Sequence, residues 1–379
     1  MTMSKRVGIY IHVPFCLRKC HYCDFCSFVG VGEGVRRAYA TALCEELRAY
    51  RPYAAGYEVD TVYFGGGTPS LLAAEDMARV LGAIREVFSV REDAEITAEV
   101  NPKTADRELL SRWRELGICR LSIGVQSFDD GELSALGRLH TAREAEELFS
   151  LARKTGFENV TIDLMYAIPT QTRESFRRTL RRAIALRPDH ISAYGLKIEE
   201  GTPFAERVEE LHLPDGDAEA DLYMDCVRIL GEAGYRHYEI SNYALPGRES
   251  RHNLRYWQMG EYIGIGVAAH SYFDGRRYGH SRDLAAYLSC PKPTLDTQEK
   301  QTEEEREYET VMLALRTADG IDERVFRAAF GYGFREKYAA RLAPLAEAGL
   351  VLYEGEHTRL SDGAMYVCLA VLGHLLDGE

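Results

Sequence analysis

No stretch of this chain is apolar for long enough to cross a bilayer, and its beginning shows no secretory h-region. A membrane-spanning helix is therefore excluded, and a cleaved export leader is not expected. Positive charge is in deficit: 46 Lys and Arg stand against 59 Asp and Glu, a formal balance of -13. Phosphate binding is driven mainly by Lys and Arg, so no nucleic-acid partner is expected. Docking on a membrane protein stays compatible with that charge. Cysteines are few, nine in all, and most stand alone. Closely spaced thiols with no pairing pattern fit a reducing compartment, so the expected location is cytoplasmic, with room for peripheral contact at the inner face of a membrane. At 379 residues the chain can bury a large core and is expected to divide into domains.

What is present is one dense run, Cys16-Leu-Arg-Lys-Cys20-His-Tyr-Cys23, directly after an apolar segment. Three thiolates at C-x3-C-x2-C spacing can hold three irons of a [4Fe–4S] cluster and leave the fourth iron open. Cys26 supplies a fourth nearby thiol, so by counting alone a closed zinc site or an all-cysteine cluster is also allowed. Cys26 is read as a bystander. Cys44, Cys119, Cys226, Cys290 and Cys368 are scattered and read as small packing or surface residues.

Behind the cysteines, strand and helix patterns alternate. Val7–Val13 is a strand ending at Pro14, and a helix is predicted from Gly34 to Tyr53. Strand Val59–Phe64 runs into Gly65-Gly66-Gly67-Thr68-Pro69. Helix Ala74–Phe88, strand Glu95–Glu99, helix Ala105–Leu116 and strand Arg120–Val125 follow. Helix Ala142–Thr155, strand Asn159–Leu164, helix Arg173–Leu186 and strand His190–Tyr194 complete the series. Such alternation implies parallel pairing with right-handed crossovers and a barrel or partial barrel, with ligands at the C-terminal ends of the strands. The cysteines, the glycines, Glu99, Gln126 and Asp163 all fall at that rim. The glycines permit positive φ and close approach of a ligand to the backbone.

With Tyr22 between the cysteines, these motifs, together with Glu99-Val-Asn-Pro102 and Gly124-Val-Gln-Ser-Phe128, resemble the radical-SAM superfamily. The closer resemblance is to the branch of oxygen-independent coproporphyrinogen III oxidase, over nearly the whole chain. It implies an α/β fold: a partial (β/α)6 TIM-type barrel with a mainly helical, winged-helix-like C-terminal domain. It implies a [4Fe–4S] cluster on Cys16, Cys20 and Cys23, and S-adenosylmethionine held by Tyr10, Tyr22, Gly66, Gly67, Thr68, Glu99, Gln126, Arg138 and Asp163. Cleavage of that cofactor needs a reducing donor such as flavodoxin. The same residues serve S-adenosylmethionine cleavage and a binding role without turnover alike.

Two functions compete within this branch: the oxidase, and HemW-type heme chaperones, which bind heme and pass it to acceptor proteins. His252-Asn253-Leu-Arg-Tyr256-Trp257 resembles the H-N-x-x-Y-W motif of the chaperones. Phe25 stands where the oxidase motif has a further Cys, and the chain begins close to Cys16, without the oxidase's longer leading extension. The chaperone reading is preferred. It implies heme as a third cofactor, heme-acceptor proteins (respiratory membrane proteins among them) as partners, and allows a homodimer. His252 is the candidate axial ligand, Tyr256 and Trp257 offer flat faces, and Arg251 or Arg255 a propionate partner. His270 is the other candidate. In a helix, His252 and Tyr256 would share a face and could simply pack.

Residues 1–240 are assigned to the barrel, 241–301 to an extension ending in a linker from Pro291 to Gln301, and 302–379 to the last domain. There, helices Glu303–Arg316, Asp322–Phe330 and Glu336–Ala348 precede a hairpin, Leu350–Tyr353 with His357–Leu360, and a final helix Asp362–Leu376. Glu303, Glu304, Glu305, Glu307 and Glu309 would repel phosphate, so this unit is read as a packing or covering module.

Overall fold

The computed structural model describes residues 5–293, 295–297 and 300–377. Six strands lie side by side in chain order: β1 (Lys5–Val13), β2 (Tyr57–Gly66), β3 (Ser89–Val100), β4 (Arg120–Gln126), β5 (Asn159–Tyr166) and β6 (His190–Gly195). Every neighbouring pair among them is parallel. The crossovers are helices α1 (Glu33–Ala49), α2 (Ala74–Val87), α3 (Arg107–Glu115), α4 (Ala142–Lys154) and α5 (Arg173–Leu186). This is the expected α/β barrel, and its ends carry more than the sequence reading allowed.

After α6 (Gly216–Glu232), the short strands β7 (Arg236–Glu239) and β8 (Asn242–Ala244) extend the sheet antiparallel beyond β6. Helix α7 (Arg251–Trp257) follows, and β9 (Tyr262–Ile265) then returns to the opposite edge, parallel to β1. Strands β10 (His270–Phe273), β11 (Arg276–Gly279) and β12 (Leu295–Thr297) continue antiparallel from it. Among the described residues the order is β12-β11-β10-β9-β1-β2-β3-β4-β5-β6-β8-β7, with no pairing between the two ends. The barrel is open. Part of the segment predicted as a linker, Leu295–Thr297, is an edge strand; positions 294, 298 and 299 lie outside the described residues. Strands of three or four residues carry too little periodicity to separate them from loops.

Side chains of the central strands alternate with a period of two. On β4, Leu121, Ile123 and Val125 are fully buried in the apolar core, while Arg120, Ser122 and Gln126 take the other parity. The same division separates Ile96 and Ala98 from Glu95, Thr97 and Glu99 on β3, and Ile162 and Leu164 from Thr161 and Asp163 on β5. The apolar face packs under the helices, so the barrel interior is polar.

Helix ends match local chemistry. Thr141 and Thr172 close capping boxes on α4 and α5, and Asp106 caps α3, so the predicted start of α3 at Ala105 moves inward. Pro52 ends α1 early, leaving a separate turn at Arg51–Tyr53.

In the C-terminal region, α8 (Glu303–Ala314) and α9 (Glu323–Phe330) form as predicted, with Asp322 as N-cap of α9. The predicted helix Glu336–Ala348 is two pieces, α10 (Phe334–Lys337) and α11 (Ala339–Glu347), broken at Tyr338. The hairpin is β13 (Val351–Glu354) with β14 (His357–Leu360), joined by Ile321–Asp322 as a third strand. The last helix also breaks, at Val367, into α12 (Asp362–Tyr366) and α13 (Cys368–Leu372). The acidic run of α8 is not one solvated face. Glu307 is buried and accepts hydrogen bonds from Lys337 Nζ (2.7 Å) and Tyr338 OH (3.0 Å), which hold its carboxyl below the usual range against the cost of burial. Glu309 pairs with Arg277 of β11. The region continues from the main sheet through backbone bonds from Ile240 N to Arg316 O (3.0 Å) and Ala318 N to Tyr238 O (2.9 Å).

One side chain ties α5 to α6. Asp225, 1 % exposed, accepts from Arg173 Nε (2.6 Å), Arg177 Nε (2.8 Å) and Arg228 Nη2 (3.1 Å). The three guanidiniums hold its carboxyl well below the ordinary aspartate range, although burial acts the other way. A depressed carboxylate contributes stability that is present above the unfolded pKa and is lost as pH falls through the folded one. Asp225→Ala should lower unfolding stability by about 3 kcal/mol, since it removes the buried carboxylate shared by three cations, of which Arg173 and Arg228 keep Asp221 and Glu232 while Arg177 loses its acidic partner. Chemical denaturation at neutral pH checks this; a loss under about 1 kcal/mol would mean water already screens the cluster.

Candidate functional site

All three motif cysteines sit on the loop that leaves β1, and all three thiols line a cavity of about 350 Å³ at the C-terminal rim of the strands. Tyr22, Gly66, Gly67, Thr68, Glu99, Gln126, Arg138 and Asp163 line the same cavity. Residues separated by up to 147 positions are thus brought together. Tyr10 is the exception at its edge: it lines a neighbouring cavity and stacks on Tyr63 with ring centroids 6.2 Å apart.

The thiols are linked by a polar chain. Cys16 Sγ lies 3.7 Å from Thr68 Oγ1, which accepts from Asn101 Nδ2 at 2.9 Å. Asn101 Oδ1 accepts from Arg138 Nη2 at 2.5 Å, and Arg138 Nη1 reaches Cys20 Sγ at 3.5 Å. Burial pushes the Cys16 and Cys23 thiols up, Cys23 to about 11, so metal binding here would release protons. Among the described residues no three His, Cys, Asp or Glu side chains converge where a single ion would sit. In a cluster each thiolate takes its own iron. Cys26 turns away from this cavity: its thiol donates to Arg282 O at 3.8 Å, and the residue lines the neighbouring cavity instead. Arg138, which lines the cavity, also has a buried Nε with no partner, and its guanidinium suits a carboxylate.

The glycine run is required by packing. A Cβ on Gly67 would stand 2.7 Å from Phe15 O, and one on Gly66, at φ +107°, would stand 2.4 Å from the His12 ring. The strand ends close on one another there, and the backbone is bare on the cavity side as a consequence. Gln126 holds a positive φ of 68° without being glycine, at the register shift between β4 and β5. Strain of this kind, of order 1–3 kcal/mol, persists where surrounding contacts impose it and concentrates at functional sites.

Two carboxyls face the interior. Glu99 accepts from Tyr63 OH (2.9 Å) and Gly66 N (3.1 Å), and Asp163 from Ser122 Oγ (2.9 Å). Burial first, then the nearby Asp163 charge, push the Glu99 carboxyl up to about 7. Burial also raises Asp163, opposed by hydrogen bonds from Ser192 and Ser122. Asn101, within the Glu99-Val-Asn-Pro102 motif, belongs to this lining, and so do Tyr63, Ser122 and Ser192, which were not singled out from sequence. Their signal was there: polar residues of one parity inside otherwise apolar strands.

His252 does not face a cavity. It is 1 % exposed on α7, with Nδ1 2.8 Å from Thr61 Oγ1 and Nε2 2.8 Å from the Tyr256 hydroxyl. Its ring stacks on Tyr63 at 5.3 Å. Desolvation first, with nearby Arg255, lowers its pKa to about 3, so it is a neutral packing residue. Both ring nitrogens are engaged within the fold, as the shared helix face of positions i and i+4 allows, so an axial role for His252 would require these contacts to break. Arg255 is likewise committed, to Asp60 and to Glu261 O (3.2 Å), and Arg251 donates to Asp93 O at 2.7 Å. Weaker heme binding in His252→Ala would therefore report loss of this packing. Only Asn253 of the motif lines the cysteine cavity.

The radical SAM superfamily profile matches residues 10–183, and the HemN C-terminal domain profile matches residues 301–367. The chain is 34% identical to heme chaperone HemW of Lactococcus lactis subsp. lactis, over 95% of this chain and 94% of that one. The chain belongs to the HemW family of radical SAM proteins. It is 42% identical to HemW of Escherichia coli over 73% of each chain. In structure it resembles coproporphyrinogen III oxidase (HemN) of Escherichia coli, with TM-score 0.84, 26% identity, and coverage of 97% of this chain and 89% of that one. Membership in a radical SAM family implies a [4Fe–4S] cluster and S-adenosylmethionine, and the thiols, bare backbone and orphaned Arg138 donor fit them. No helix among the described residues is long and apolar enough to cross a membrane.

A carboxyl whose folded pKa lies above its unfolded value destabilises the fold as pH rises between the two. In the cofactor-free protein, stability should therefore decline from about pH 4.5 to about 7 on account of Glu99. In Glu99→Gln that part of the decline should vanish. Parallel melting curves across this range test it; identical slopes in both proteins would show that Glu99 ionises without penalty.

Proposed function

We propose that this protein is a heme chaperone that binds heme and delivers it to acceptor proteins, with a [4Fe–4S] cluster and S-adenosylmethionine as resident cofactors. The observation that carries this reading is similarity along almost the entire chain to proteins named heme chaperone HemW, at higher identity than to the oxidase. The H-N-x-x-Y-W segment and Phe25 point the same way.

In this reading Cys16, Cys20 and Cys23 hold the cluster. Gly66, Gly67, Thr68, Glu99, Gln126, Arg138 and Asp163 surround S-adenosylmethionine, with Tyr22 beside the cysteines and Tyr10 approaching from the adjoining cavity. The cluster supplies reductive one-electron chemistry when bound. Arg138 orients a carboxylate, and Glu99 and Asp163 accept hydrogen bonds from amino or hydroxyl groups. The partners required are heme-acceptor proteins, respiratory membrane proteins among them, and a donor of the flavodoxin kind. The protein works in the cytoplasm, with contact at the inner face of the membrane, and a homodimer is compatible with it. The functional units are the barrel (1–240), the extension carrying α7 (241–301) and the C-terminal module (302–379).

The test is an anaerobic hemin titration of cluster-reconstituted protein followed in the Soret band, beside an assay of coproporphyrinogen III decarboxylation under reducing conditions. Saturable heme binding without decarboxylated product is expected. Product formation without saturable binding would establish the oxidase instead.

A further inference from the structure

The relocation of His252 into the packing leaves the heme reading without an iron ligand on α7, and a second cavity supplies one. It has a volume of about 720 Å³ and opens at the side of the barrel, where β1, β9 and β10 meet the cysteine loop. Its size lies in the range of about 300–1,000 Å³ typical of cofactor pockets. Three histidines line it, and only one is free. His12 places Nε2 2.9 Å from Cys26 O and Nδ1 3.1 Å from the Tyr10 hydroxyl. His280 is held between Ala269 O (3.1 Å) and Glu46 Oε1 (2.7 Å). His270 is exposed at the start of β10, and neither ring nitrogen has a hydrogen-bond partner among the described residues.

The walls suit a flat, largely apolar ligand with acidic edges. Tyr256 and Tyr262 meet edge to face, with centroids 4.6 Å apart and planes at 86°, so one presents a ring face beside the other's edge. Phe25, 63 % exposed, lines both this cavity and the cysteine cavity. An aromatic ring left this open has apolar surface to cover. Arg282 lines the cavity and commits Nη2 to Asp24, to its O at 2.6 Å and its Oδ1 at 3.4 Å. Its remaining donors are available to a carboxylate.

We propose that heme binds in this lateral cavity, with His270 as axial ligand to the iron, Phe25 and the Tyr256–Tyr262 pair against the macrocycle, and Arg282 at a propionate. The inference rests on the heme-chaperone reading and deepens it by naming the site. A neutral imidazole is a common axial ligand, and His270 is the one cavity imidazole not already occupied. The shared Phe25 would place bound heme next to the cluster loop.

The experiment is hemin titration of the cluster-reconstituted full-length protein and its His270→Ala and Cys26→Ser variants. His270 is exposed, so its replacement leaves the core untouched. Iron and sulfide contents should match the parent, binding in His270→Ala should weaken by roughly tenfold or more, and the Soret maximum should shift. Added imidazole should restore the parent spectrum, which lost packing would not allow. Saturable binding in the parent with an unchanged affinity and Soret band in His270→Ala would overturn the site while leaving the heme reading intact. The same spectral loss in Cys26→Ser alone would overturn His270 in favour of the thiol. No saturable binding in the parent would overturn the functional reading, and this site with it.

Discussion

A parallel sheet that curls without closing must satisfy whatever its concave face carries, and here that face is polar. Tyr63, Glu99, Arg120, Ser122, Asp163 and Ser192 project inward from neighbouring strands. An unpaired charge in such a place costs several kcal/mol, so each group must find a partner or meet the cavity. Most do both. Glu99 takes Tyr63 and a backbone amide, Asp163 takes Ser122, and buried Arg120 donates to Thr161 Oγ1 at 2.7 Å. The apolar face of the same strands pays no such penalty and packs under the helices. The interior is thus preorganised before any cofactor arrives, and its polar groups concentrate at the rim where the cysteine loop crosses.

Helix α7 follows from the same constraint. Thr61 and Tyr63 of β2 also face inward, and α7 meets them with His252, whose two nitrogens take Thr61 and Tyr256. With Tyr10 stacking on both rings, this aromatic layer stands between the cysteine cavity and the lateral one. A histidine with a single exposed nitrogen could bind iron; one held at both ends separates compartments. That is why the motif residue with the most suggestive chemistry serves packing, while Asn253 beside it reaches the cavity.

The C-terminal module shows how a charge run misleads when read without its neighbours. Glu307 looks like one carboxylate among many on α8, yet Lys337, Tyr332 and Tyr338 enclose it and make it the anchor of α10 and α11. Glu309 reaches across to β11 of the extended sheet. Acidic residues at this position hold the module together and onto the barrel, which fits a supporting role.

The sequence by itself determined the six central strands, their helices and the cysteine rim, because period-two and period-3.6 patterns and the C-x3-C-x2-C spacing are local signals. It also placed Cys16, Gly66, Glu99, Gln126 and Asp163 at one end of the sheet, since parallel crossovers put every strand end on the same side. Only the tertiary structure decided which histidine is free, which carboxylates are buried, and how the edge strands extend the barrel. His252 and His270 are indistinguishable by type. What separates them is that Thr61, nearly two hundred residues upstream, lies within hydrogen-bond reach of one and not the other. Partners distant in sequence set the free energy of a polar side chain, and no local pattern encodes them.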